Sequence, residues 1–288
     1  MKNFWIRFAS SAVLVIMVII AVGVGGYFLA AALLLASLTA YHELLSLKKG
    51  EKSDVSLADD HPCGKDSHIT ILGVSGLLTI LAYYLVLVWG NDWRYLFFVA
   101  ILSLAFFMAG YAFSFPRLSR NEVMEAFVYV LYAPVMMSFV YLAREMEHGV
   151  YVVALIFICS WVCDTCAYLV GLPFGRHRLA PELSPKKSIE GAIGGVGGAM
   201  LVGGVLGFVF ARQQDLGWEI IFTFVLISAV GAVIAQIGDL AASAIKRSYG
   251  VKDFGRIIPG HGGILDRFDS VLFAAPMIYV LVILFVKL

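Results

Sequence analysis

Charge is scarce in this chain of 288 residues: 14% are Asp, Glu, Lys or Arg, while 61% are hydrophobic and the mean hydropathy is +0.89. A soluble domain carries roughly a quarter charged and half apolar residues. So little polar surface excludes a water-clothed globular fold and points to an all-α, polytopic membrane protein. The net charge of +1 gives no bulk attraction to nucleic acid. Four cysteines imply no disulfide framework. The C-x-x-C of Cys163 and Cys166 reads most simply as small residues on a membrane helix. No G-x-x-x-x-G-K-[ST] loop, G-x-S-x-G elbow or H-E-x-x-H pair occurs, so those mechanisms have no support. No stretch is long and polar enough for a separate soluble domain.

What remains is a series of apolar runs. Nine are near the length of about 20 residues that crosses a bilayer: 5–23, 27–46, 69–89, 94–115, 124–143, 150–172, 191–211, 218–245 and 269–287. The first has the positive end and apolar core of a signal peptide, but a second run follows after only "GVGG", so an uncut span and a tight hairpin are expected. Residues 47–68 read as a flexible polar loop. Fifteen of the 21 Lys and Arg residues follow even-numbered spans. Positive charge stays in the cytoplasm, which sends loops 47–68, 173–190 and 246–268 there; both termini are expected outside. Charged motifs concentrate beyond residue 160. The chain therefore divides into N-terminal transmembrane helices, 1–150, and a C-terminal catalytic transmembrane region, 151–288, within one membrane unit.

Three segments can carry chemistry. In "GDLAASAIKR", Asp239, Ser243 and Lys246 fall at i, i+4 and i+7, with Arg247 adjacent, on one helix face. A salt-bridged helix end is the bland alternative. "KDFGRIIPGHGGILDRFDS", residues 252–270, sets Lys252, Asp253, Arg256, His261 and Arg267 around a turn containing Gly262 and Gly263. Its N–H groups could form an anion nest. Asp266 and Asp269 open the last span, where helix capping is the alternative. Asp239 ends one span and Asp266 begins the next, across a basic loop. Two separated carboxylates with a basic, glycine-rich turn suit a Mg²⁺-dependent phosphate site. Upstream, Asp164 is a charge inside an apolar run. The loop "PFGRHRLAPELSPKKS" offers Lys187 to a phosphate, with hydroxyls from Ser184 and Ser188. Attraction to anionic headgroups is the alternative for Arg176 and Arg178. The glycines of 191–207 read as helix-packing positions. His42, His61, His68, His148 and His177 show no ligand spacing.

Ser243-x-x-Lys246-Arg247, then Lys252-Asp253-x-Gly255, then Pro259-x-His261-Gly262-Gly263-x-x-Asp266-Arg267-x-Asp269 closely resembles the signature of phosphatidate cytidylyltransferases, or CDP-diglyceride synthases. Asp164, the Phe-Gly at 174–175 and Ser184-Pro185-x-Lys187 resemble the family's preceding loop. The detailed likeness covers about the last 130 residues; earlier it is one of multi-span layout. The resemblance implies that CTP and phosphatidic acid give CDP-diacylglycerol and pyrophosphate, in phospholipid biosynthesis, with Mg²⁺. It implies a two-metal site at Asp239 and Asp266, whose second ion can be monovalent. Lys246 and Arg267 join these as catalytic residues. Ser184, Lys187, Ser243, Arg247, Lys252, His261, Gly262 and Gly263 meet phosphates, and Asp164, Asp253 and Asp269 support. It further implies a multi-pass protein of the plasma membrane, able to pair as a homodimer, with its site at the cytoplasmic edge. Two positions depart from the pattern: Ala242 replaces an acidic residue and Lys186 a glycine. The rivals are a CTP-dependent lipid kinase, a transporter of anionic solutes and a silent scaffold.

Overall fold

The computed structural model describes residues 2–47, 65–90, 93–258 and 262–286. Uninterrupted apolar runs become helices because backbone groups in hydrocarbon must find partners within their own segment. In order these are α1 (Lys2–Val24), α2 (Gly26–Leu47), α3 (Lys65–Trp89), α4 (Trp93–Ser114), α5 (Arg120–Val130), α6 (Met136–Glu145), α7 (Gly149–Phe157), α8 (Cys163–Phe174), α9 (Ile189–Gln213), α10 (Glu219–Ser248) and α11 (Leu265–Phe285). A π turn at Leu131–Val135 joins α5 to α6, and another at Ile158–Val162 joins α7 to α8, making two continuous rods. Pro134 lies inside the first turn; it cannot donate to a regular helix ladder, and the wider turn accommodates it. Among the described residues eight rods are long and apolar enough to cross a membrane, and α1 adds an apolar stretch over Ser10–Val24.

The 173–190 segment, expected as a loop, contains a short antiparallel hairpin of β1 (Arg178–Ala180) and β2 (Ser184–Ser188). The Ser188 hydroxyl caps α9 by accepting the N–H of Gly191 at 3.1 Å. The catalytic-end helices also run further than their apolar cores. Asp239 therefore lies about 13 Å inside α10, at 1.5 Å per residue, instead of ending it. Asp266 and Asp269 lie within the start of α11.

The expectation of two external termini fails on parity. An odd number of crossings cannot return a chain to its starting face. Ser10 and Ser11 of α1 line a cavity with Asp266 and Asp269, and Glu43 near the end of α2 touches the start of α11. The N-terminal end of α1 thus shares a face with the C-terminal motifs, and α11 ends on the opposite face. Lys2 and Arg7 consequently join the basic side, which sharpens the charge asymmetry.

The glycine-rich α9 packs against both α8 and α10. A Cβ at Gly191 would stand 2.7 Å from the Ala167 carbonyl oxygen, and one at Gly195 2.8 Å from that of Cys163. These glycines bring helices together, as the sequence led us to expect. Buried hydroxyl pairs tie the N-terminal helices: Ser37 with Tyr84 at 2.8 Å and Tyr83 with Ser138 at 2.9 Å. On the outside, Phe97, Phe98 and Ile101 of α4 are exposed, as suits a lipid-facing helix.

Candidate active site

The last turns of α10 and the first of α11 close on a buried ion pair. Lys246 Nζ donates to Asp266 Oδ1 at 2.8 Å, and both residues are about nine-tenths buried. The ammonium also lies 5.0 Å from the centroid of the Phe254 ring. Asp266 Oδ2 accepts the backbone N–H groups of Phe254, at 2.8 Å, and Gly263, at 2.9 Å. One carboxylate therefore folds the connection over itself. Gly262, at φ +88°, makes the turn with a backbone few other residues adopt.

Deeper in the bundle, Asp239 of α10 pairs with Lys187 of β2. Asp164 of α8 and Asp269 of α11 lie within the electrostatic field of Asp239 and of each other. Asp164 and Ser270 line the same cavity, and Asp269 Oδ1 accepts the Ser270 N–H at 2.8 Å. Like charges so placed are costly unless cations or hydrogen bonds offset them. Lys187, Lys246 and Arg267 supply that offset.

Two cavities meet at Asp164. The larger, about 610 Å³, is lined by Tyr168, Leu172, Arg178, Lys187, Gln236 and Asp239 among others. The smaller, about 300 Å³, is bounded by Ser10, Trp161, Asp266, Arg267 and Asp269. Sequence reasoning placed Asp164, Lys187, Asp239, Lys246, Asp266, Arg267 and Asp269 in one site, and the fold brings them together. Ser243 is buried between Asp239 and Lys246 along α10. Ser184 begins β2, and Lys252 and Asp253 are exposed on the α10–α11 connection. His261 lies outside the described residues.

Backbone N–H groups at the start of α11 are held by carboxylates: Gly263 donates to Asp266, while Ile264 and Leu265 donate to the two oxygens of Glu43, each at 2.9 Å. Gly263 is needed because a Cβ there would run into the Glu43 carboxylate. The Arg247 guanidinium donates to the carbonyls of Leu183 at 3.3 Å and Val251 at 3.1 Å. Ala242 is fully buried in the core. Sequence reasoning missed Glu43, although an acid within the apolar second run was the available signal. It also missed Gln236, whose Nε2 donates to the Ala192 carbonyl at 3.0 Å, and Trp161, whose indole donates to the Arg267 carbonyl at 3.3 Å.

Among the described residues no three acidic, histidine or cysteine side chains form a ready cage. Mg²⁺ commonly uses one or two carboxylates and takes its other ligands from water and phosphate oxygens. Asp239 lines the larger cavity and Asp266 and Asp269 the smaller; these are the carboxylates that could hold such an ion.

The model of a family described as "Cytidylyltransferase family" matches residues 5–285. A phosphatidate cytidylyltransferase of Staphylococcus saprophyticus is 33% identical over 224 residues, covering 75% of this chain and 82% of that protein. One from Staphylococcus haemolyticus is 34% identical over 221 residues, with the same coverage. One from Synechocystis is 47% identical over 136 residues, 47% of this chain and 44% of that protein. With a match spanning nearly its whole length, this chain belongs to the cytidylyltransferase family.

Proposed function

We propose that the chain is a phosphatidate cytidylyltransferase: it transfers the cytidylyl group of CTP to phosphatidic acid and releases pyrophosphate. The supporting observation is the convergence of Asp164, Asp239, Asp266 and Asp269 with Lys187, Lys246 and Arg267 where the two cavities meet. The larger cavity is partly walled by Tyr168 and Leu172, which are exposed on the apolar flank of α8. That arrangement suits a substrate with a charged head and a lipid tail. The relatives carry the same activity in their names.

A phosphate oxygen of phosphatidate attacks the α-phosphorus of CTP. The bond from that phosphorus to the oxygen bridging to the β-phosphate breaks, and pyrophosphate leaves with the electron pair. The nucleophile is already an anion, so no general base is required. The protein's task is to bring two polyanions into line and offset their charge. Lys187 can exchange Asp239 for a phosphate, and Arg178 lines the same cavity. Arg267 and Lys246 hold positive charge at the other end. Ser184, Ser243, Lys252 and His261 are further proposed contacts. Asp239 and Asp266, with Asp269 beside them, would hold Mg²⁺. When bound, the ion would neutralise phosphate charge and stabilise the transition state. We assign the basic face to the cytoplasm of the plasma membrane, from the excess of Lys and Arg on that side.

The test is pyrophosphate release by purified protein in detergent. Release should require CTP, phosphatidate and Mg²⁺ together. CTP consumption that does not depend on phosphatidate would defeat the proposal.

A further inference from the structure

Tyr132, in the N-terminal half, takes no part in the chemistry above. It lies in the π turn Leu131–Val135, and such turns often redirect a side chain at functional sites. Its ring packs edge-on against Phe273, with centroids 6.3 Å apart. Phe273 lies one turn beyond Asp269 on α11, on the same helix face. Phe273 also closes on Gly238, the neighbour of Asp239, where a Cβ would stand 2.8 Å from the Phe273 Cβ. The phenol is therefore beside the acidic site, within the field of Asp269, Asp239 and Asp266.

Tyr132 is only 9% exposed, and among the described residues its hydroxyl has no hydrogen-bond partner. Four other buried phenols of the N-terminal helices have partners: Tyr83 with Ser138, Tyr84 with Ser37, Tyr41 with the Leu72 carbonyl and Tyr129 with Tyr249. Phenylalanine would fill the same space without an unpaired polar atom, so packing does not explain the hydroxyl. Asp266 is held by Lys246 and two N–H groups, Asp269 accepts from Ser270 through Oδ1 and Asp239 from Lys187 through Oδ2, and the Tyr132 hydroxyl donates to none of them.

We infer that Tyr132 is a substrate-binding residue that donates a hydrogen bond to a phosphate oxygen of a molecule seated at Asp239 and Asp269. The inference rests on the phosphoryl chemistry proposed above. Tyr132 lines neither cavity, so the contact would form as substrate binding opens the packing around the hydroxyl; an uncharged donor there does not compete for the carboxylates as an ammonium would.

The test is Tyr132→Phe in the full chain in detergent. Thermal unfolding, kcat and KM for each substrate are measured, with the thermal shift on adding CTP or phosphatidate alone. The variant should melt at or above the parent's temperature, because it loses only an unpaired hydroxyl, yet kcat/KM should fall at least tenfold. A change confined to KM for CTP assigns the nucleotide phosphate, and one confined to phosphatidate assigns the lipid phosphate. A change in kcat alone assigns a transition-state contact. Kinetics within twofold of an active parent would overturn the inference while leaving the proposed function intact. So would a lower melting temperature, which would mark a structural hydroxyl. If the parent shows no turnover, the functional proposal fails. The inference then stands only if the parent still binds CTP or phosphatidate and Tyr132→Phe weakens that binding tenfold.

Discussion

Glu43 of α2 accepts the backbone N–H of Leu265, 222 residues further along, at 2.9 Å. Its other oxygen takes the N–H of Ile264. A side chain from the N-terminal half thus satisfies two of the free N–H groups at the start of α11, and with them sets the position of Asp266 and Asp269. Glu43→Ala should leave both groups buried and unpaired, at about 1–3 kcal/mol each. Thermal unfolding in detergent should show a clear loss for Glu43→Ala and a smaller one for Glu43→Gln, which keeps one acceptor. Turnover should fall in the same order. Equal stability of all three proteins would detach Glu43 from this role.

The Lys246–Asp266 pair makes single substitutions ambiguous. Asp266→Asn leaves a buried ammonium without its counter-charge, which costs about 3–5 kcal/mol when such a pair is broken. Combining it with Lys246→Met removes the stranded charge and should recover much of the lost stability. Turnover should stay at least a hundredfold down in the double variant. Recovery of activity together with stability would make the pair purely structural.

Lys187 and Asp239 form a partly exposed pair, with side chains 28% and 20% accessible. Exposed ion pairs add little to stability. The pair itself thus adds little, but Lys187 also offsets Asp164 beside Asp239, so Lys187→Ala should lower the melting temperature only slightly. Its kcat/KM should fall at least tenfold, since a charge-assisted phosphate contact is worth about 1.5–3 kcal/mol. Unaltered kinetics would return Lys187 to the role of a surface lysine.

Topology gives an independent check. Cysteines placed at Asn3 and Arg256 should label from the same side of the membrane, and one at Asp215, between α9 and α10, from the other. Labelling of Asn3 and Asp215 from one side would contradict the fold.

Helix existence was legible in the sequence because hydrocarbon leaves an apolar run little alternative to a helix. Asp164, Asp239, Asp266 and Asp269 were legible because a carboxylate in such surroundings needs a reason. Glu43 carried the same signal. Its partners, however, are backbone N–H groups in a distant segment, which no local pattern reveals. For the same reason the close approach of Gly263 to Glu43 could not be read from the glycine-rich turn. The β1–β2 hairpin was missed because its strands are short and interrupted by Pro185. Tyr132 was invisible among many aromatic residues until Phe273 and Gly238 located it.

The most direct test of cytidylyl transfer uses CTP labelled at the α- or the γ-phosphate, with phosphatidate, Mg²⁺ and purified protein. The α-label should move into the lipid fraction as CDP-diacylglycerol, and the γ-label should appear only in pyrophosphate. Gamma-label in the lipid would show a kinase, and label in neither product would contradict the assignment.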